Sequence, residues 1–163
     1  MGKTIFARQL ASLLDARHVE LDALFHGPNW TPAPLDEFRG RVSAAITTEA
    51  FVVDGNYGAA RDIVWPRLDL VVWLDYPFPL IFARLFRRTV ARAVTREPLW
   101  NGNRESFRLS FASRDSILLW AITSHRRRRR ELPAIAERFG VPLVRLRSPR
   151  ESAAWLGSLE ITA

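Results

Sequence analysis

The stretch MGKTIFARQLASLLD, residues 1–15, decides how the rest of the chain is read. Its Gly2-Lys3-Thr4 equals the last three positions of a phosphate-binding loop, in which a glycine and four further residues precede Gly-Lys-Ser/Thr between a strand and a helix. In such a loop, backbone N–H groups and the helix N-terminus cradle phosphates, the lysine reaches the β- and γ-phosphates, and the threonine hydroxyl meets Mg²⁺. Taken alone, the tripeptide equally suits the start of an ordinary helix with Thr4 near its cap. Phe6, Leu10, Leu13 and Leu14, with Ala7 and Ala11, fall at helical spacing, which predicts an amphipathic helix directly from Thr4. A Gly-Lys-Thr at the head of such a helix favours the phosphate-binding reading if the remainder is a parallel α/β domain.

The remainder reads that way. HVELD (18–22) is a short strand ending in a carboxylate, FHGPNWTPAP (25–34) is a loop, and Pro34, Asp36 and Glu37 open a helix carrying Leu35, Phe38, Val42, Ala45 and Ile46. AFVVDGN (50–56) and LDLVVWLD (68–75) are apolar, β-branched runs ending in Asp, as expected of strands buried on both faces of a parallel sheet. A brief helix or turn lies between them. A long helix follows Pro77 and Pro79, with Ile81, Phe82, Leu85 and Phe86 on one side and Arg84, Arg87, Arg88 and Arg92 largely on another. After the loop TREPLWNGNRES (95–106), a second long helix starts near Ser113, and Pro133 is expected to kink or break it. VPLVRL (141–146) is a last strand and PRESAAWLGSL (149–159) a last helix. The alternation predicts one α/β domain over residues 1–163, a parallel sheet with helices on both faces and a lid-like segment at about residues 93–112.

At 163 residues, 48% of them hydrophobic, the chain supports one sizeable core. It has no long apolar run and no signal-peptide pattern, so a cytoplasmic protein without a membrane partner is expected. The absence of cysteine excludes disulfides and thiolate metal sites, and three scattered histidines argue against zinc. Any metal would be oxygen-bound, such as Mg²⁺ arriving with a ligand. Lys and Arg number 24 against 17 acidic residues, a formal charge of +7, which implies an anionic partner. A phosphate pocket and an open nucleic-acid face both fit that charge.

Asp22, Asp54 and Asp75 each follow an apolar strand, and open α/β sheets bind ligands beyond the carboxyl ends of their strands. Asp54, with Gly55 beside it, is the candidate to hold Mg²⁺, and Asp22 the candidate to orient a phosphoryl acceptor or take its proton. Each also suits a turn or cap aspartate. Phosphoryl transfer rests on positioning and charge neutralisation, so arginines that close over phosphates are expected. Arg88 and Arg92 lead into the lid-like loop and Arg114 follows it. At about 100° per residue, Arg128 returns near the helix face of Arg114, so the pair could reach one phosphate. The run Arg126–Arg130 covers every side of a helix, so only one or two of its members can face a pocket.

With these pieces in place, the chain resembles the adenylate-kinase-like P-loop proteins of the DNA topology modulation type. The resemblance rests on GKT, HVELDALFHGPNWTP, FVVDGNY, RDIVWPRLDLVVWLDYP, RRTVARAVTREPLWNGNRES and SRDSILLWAITSHRRRRR, and so extends over nearly the whole chain. It implies a nucleoside-monophosphate-kinase-like fold with Mg-ATP at Lys3 and Thr4, the latter two following Gly2. VDGNY sits where adenylate kinases have Asp-Gly-Phe-Pro-Arg, which supports Asp54, while Tyr57 and Gly58 replace the Pro-Arg and disfavour AMP as the acceptor. Members of the family begin with a strand of about five or six residues before the loop. That strand lies between those corresponding to FVVD and LVVWLD. Its absence would leave buried backbone groups unpaired at on the order of 1–3 kcal/mol each, against about 5–15 kcal/mol for a whole domain. Met1 is therefore expected to be an internal methionine of a longer protein.

The leading expectation is an ATP- and Mg²⁺-dependent kinase that phosphorylates a small acceptor near Asp22, Arg61 and the GPNW loop, where Trp30 would shape the pocket. The alternatives are a basic DNA-binding protein with little or no catalysis, whose affinity would fall steeply with salt, and an inactive truncation.

Overall fold

The structure is a computed structural model; it describes the backbone of residues 2–95 and 117–160, and their side chains except at positions 89, 92–95, 117–126 and 160. Helix α1 (Lys3–Leu13) buries Ala7, Leu10 and Ala11 on the stripe that the 3.6-residue period predicts. It ends where Asp15 turns into the left-handed region at φ 47°: the Asp15 N–H then reaches Ser12 O at 3.4 Å and the Ala16 N–H reaches Ala11 O at 2.8 Å. This is a Schellman closure with aspartate in the place usually given to glycine.

Strand β1 (Arg17–Glu20) leads straight into α2 (Leu21–Phe25), so Asp22 lies in the first turn of a helix and not at a strand end. The 26–33 loop is followed by α3 (Leu35–Ala45), β2 (Phe51–Asp54), α4 (Arg61–Val64), β3 (Val71–Leu74) and α5 (Phe78–Thr95). Beyond the undescribed residues come α6 (Ile117–Phe139), β4 (Leu143–Leu146) and α7 (Pro149–Glu160). Helix α6 runs through Pro133 without ending, so the break allowed for there does not occur. A proline inside a helix forfeits one backbone hydrogen bond. Leu132, Ile135, Ala136 and Phe139 all pack into the core around it, and that burial outweighs the loss. The helix closes at Gly140, φ 65°, with Val141 N–H bonded to Ala136 O.

The four described strands are parallel in pairs, as expected, but they do not form one continuous sheet. β1 pairs with β2, with Glu20 opposite Asp54; β3 pairs with β4, with Leu74 opposite Leu146. β2 and β3 belong to different sheets, and each pairs on one side only among the described residues. Their residues are half-buried, less enclosed than strands covered on both faces. One apolar cluster nevertheless unites the two sheets. Phe38, Val42 and Ile46 of the α3 segment are fully buried at its centre, with Val19, Phe51 and Val53 from the first sheet and Val71 and Leu143 from the second packed around them. No described helix is long and apolar enough to cross a membrane.

Candidate functional site

The end of α1 that faces β2 collects charge. The first N–H groups of a helix have no intrahelical acceptor, and here Gly2 stands at the cap position with φ 135° and no side chain closes the end. The first helical bond runs from Phe6 N–H to Gly2 O at 2.8 Å, so the amides of residues 3–5 have no intrahelical acceptor and lie at the N-terminal end of the axis. Thr4 Oγ1 donates to Asp54 Oδ2 at 2.6 Å, and Lys3 Nζ stands 3.8 Å from Asp54 Oδ1. Asp54 is the last residue of β2 and its register partner Glu20 is the last of β1, so both side chains emerge on the same sheet face. α1 lies across that face: Arg8 Nη2 meets Glu20 Oε1 at 2.6 Å one turn beyond Thr4. Gly2, Lys3, Thr4 and Asp54, named from the sequence, thus come together.

Arg84 joins them. A Cβ placed on Gly2 would lie 3.8 Å from its Nη1, so this guanidinium sits at the head of α1. It also lies over the Tyr76 ring, 5.8 Å from the centroid. Sequence reasoning placed Arg84 only on a polar helix face. The available signal was its four-residue spacing from Arg88, which puts both on one side of α5. Arg88 lies one turn further along with its Nε buried. The Arg92 side chain, Arg114 and the lid-like segment beyond residue 95 lie outside the described residues.

A second group gathers beside the first. Tyr57 Oη donates to Asp22 Oδ1 at 2.6 Å. Burial first, and then the neighbouring Asp22 carboxylate, raise the Tyr57 phenol far above its ordinary value of 10.0, so it keeps its proton and remains a donor. Arg128 is half-buried: burial, then Arg127, lower its guanidinium, and Asp22 is near enough for its charge to oppose them. Arg61 Nη2 reaches Asn56 Oδ1 at 3.4 Å, while its Nε is buried without a hydrogen-bond acceptor among the described residues. Trp30 stands edge-on to His26, 5.4 Å between centroids, and His26 and Tyr57 both flank Phe25, so a row of rings connects the GPNW loop to the Asp22–Tyr57 pair. Asn29 and Trp30 both hold left-handed backbone at φ 56° and 58°, a strained pairing for side chains other than glycine.

Gly55 joins the two groups. Its φ is 129°, and a Cβ there would stand 2.9 Å from Leu21 Cβ, so only glycine lets the chain pass from Asp54 to Tyr57 against the start of α2. Gly55→Ala is expected to cost about 1–3 kcal/mol from backbone strain alone, or several degrees in a thermal melt; an unchanged midpoint would refute this account of the turn.

Two further arginines of the run, Arg127 and Arg129, are held in ion pairs. Arg129 Nε bonds Asp75 Oδ1 at 2.8 Å, Arg145 binds the other carboxylate oxygen, and Arg127 pairs with Glu131 one turn on. Asp75, weighed above as a ligand-facing aspartate, is thus committed to a buried ion-pair network. Among the described residues no three His, Cys, Asp or Glu side chains cluster as a metal cage. Thr4 Oγ1 and Asp54 nevertheless offer a hydroxyl and a carboxylate side by side. Two hard oxygen donors suit Mg²⁺, which keeps most of its waters and takes few protein ligands. Compared with protein-family models, curated proteins and solved structures, the chain matches none of them.

Proposed function

We propose that this protein is an ATP-dependent phosphotransferase of P-loop, adenylate-kinase-like type, acting on a small acceptor. The observation that carries the reading is the contact of Thr4 with Asp54 at 2.6 Å, with Lys3 on the same carboxylate, at the uncapped head of α1. An ordinary helix start needs none of these: a cap residue would bond its own helix amides, whereas Thr4 reaches across to a strand. The separate β1–β2 and β3–β4 sheets support the same reading, since in the resembled family a further strand runs between those corresponding to β2 and β3.

In this reading the amides at the head of α1 bind the phosphate oxygens of the donor, aided by the positive end of the helix dipole. Lys3 and Arg84 neutralise the charge that spreads over the transferred group. Thr4 and Asp54 would hold Mg²⁺, which when bound supplies Lewis-acid neutralisation of the phosphate oxygens. Arg88, Arg92 and Arg114 would extend the cationic surround, while Asp22, Arg61 and Trp30 define the acceptor side. Calorimetry of the full chain with ATP tests the reading: saturable heat in Mg²⁺ that is at least tenfold weaker in EDTA or in Asp54→Ala is expected, and absence of ATP binding overturns it.

A further inference from the structure

We propose that the acceptor is an alcohol, phosphorylated on a hydroxyl group that Asp22 deprotonates, and not a nucleoside monophosphate; this rests on the phosphotransferase reading above. Asp22 is an uncommon neighbour for an incoming phosphate. A monoester dianion beside this carboxylate would add like charge, at a place where Tyr57 already supplies one short hydrogen bond and Arg128 one attractive charge. A hydroxyl nucleophile reverses that account. It brings no charge of its own, can donate to Asp22, and needs a proton acceptor as its bond to phosphorus forms.

The placement fits that task. Asp22 occupies the first turn of α2, two residues past Glu20, whose register partner is Asp54; Leu21 packs against Gly55, so the two aspartates open onto the same end of the β1–β2 pair. Tyr57 Oη fixes one carboxylate oxygen, Oδ1, and leaves Oδ2 to the substrate. The ring of Tyr57 is itself wedged between Phe25 and Phe38, with centroids 4.9 and 5.3 Å away, which makes it a positioning residue for Asp22. Arg61, beside Asn56, offers its buried Nε to a second, anionic part of the acceptor.

The chemistry balances. The acceptor oxygen forms a bond to the γ-phosphorus of ATP, the bond from that phosphorus to the β–γ bridging oxygen breaks, ADP leaves, and the hydroxyl proton passes to Asp22 and then to solvent. No oxidant or further reactant is needed.

The test offers the full chain Mg-ATP with two pools, one of polyols, sugars and hydroxy acids and one of the four common nucleoside monophosphates, followed by phosphorus NMR. A new phosphate monoester from the hydroxyl pool is expected. In Asp22→Asn, which keeps an oxygen for Tyr57, its rate should fall about 10²–10⁴-fold with ATP affinity unchanged. Tyr57→Phe should lower kcat about tenfold while KM for ATP holds. Conversion of an offered nucleoside monophosphate to its diphosphate, transfer to neither pool, or full activity in Asp22→Asn overturns the alcohol acceptor while calorimetric ATP binding still stands for the phosphotransferase reading. Loss of ATP binding by the unmodified chain overturns both.

Discussion

Replacing Lys3 by alanine is expected to slow phosphoryl transfer by about 10²–10³-fold in single-turnover measurements, the usual cost of deleting one electrostatic partner of the developing charge. The side chain is half exposed, 49%, and its one contact in the described residues is the 3.8 Å approach to Asp54. Removing it therefore disturbs no packing, and the melting temperature should stay within about 1 °C, as for a surface substitution costing under about 0.5 kcal/mol. The loss should appear in kcat more than in KM if Lys3 follows the γ-phosphoryl group during transfer, because removing an interaction made only in the transition state lowers kcat and kcat/KM equally. Lys3→Arg should restore charge without the compact geometry of an ammonium and recover only part of the rate. A Lys3→Ala variant as fast as the parent would remove the phosphate-binding role of the Gly-Lys-Thr segment.

The largest stability effect is expected at Asp75. Its side chain is 2% exposed and both oxygens are taken by guanidinium groups, Arg129 from α6 and Arg145 from β4. Burial alone would raise this carboxyl, but the hydrogen bonds and charges of the two arginines outweigh it and hold it below its ordinary value of 3.8. Asp75→Asn leaves two guanidiniums facing a neutral amide. We expect a loss of about 2–4 kcal/mol at pH 7, less than a fully enclosed pair would give because both arginines keep contact with water. The pH dependence has a definite sign. A carboxyl lowered by folding contributes stability at pH values above 3.8 that disappears as the pH falls through its folded value. Parent and variant should therefore converge in urea unfolding as the solution is acidified below that value. Equal stabilities at pH 7 would show that the network contributes nothing net.

Local structure was legible in the chain because short-range rules govern it. The stripe Ala7–Leu10–Ala11 and the apolar runs at 51–54 and 71–74 declare a helix and two strands by period and composition. Lys3, Thr4 and Asp54 were legible as a group because a phosphate loop and a strand-end aspartate each carry their own signature. Pairing between strands was not legible: nothing in residues 71–74 says that they meet 143–146 and not 51–54. The break expected at Pro133 misled for the same reason, since the core against which its apolar neighbours pack is contributed by the fold. Arg84, Tyr57 and Arg145 acquire their meaning only from partners far away in sequence, at Gly2, Asp22 and Asp75. A single sequence gives them the look of an ordinary helix arginine, a loop tyrosine and a strand arginine.

The arginine run has a consequence for how the chain tolerates change. Arg128 and Arg129 are consecutive yet serve different partners, Asp22 near the first sheet and Asp75 at the end of β3. On a helix, inserting or deleting one residue upstream rotates everything after it by about 100°, which ordinarily destroys any contact that depends on angle. Here arginine flanks arginine from 126 to 130, so a slip of one position brings another guanidinium into each vacated place. The repetition acts as redundancy at those two charge positions alone: Leu132, Ile135, Ala136 and Phe139 on the same helix would turn with the slip and leave the core, so the ion pairs tolerate a change of register that the packing of α6 does not.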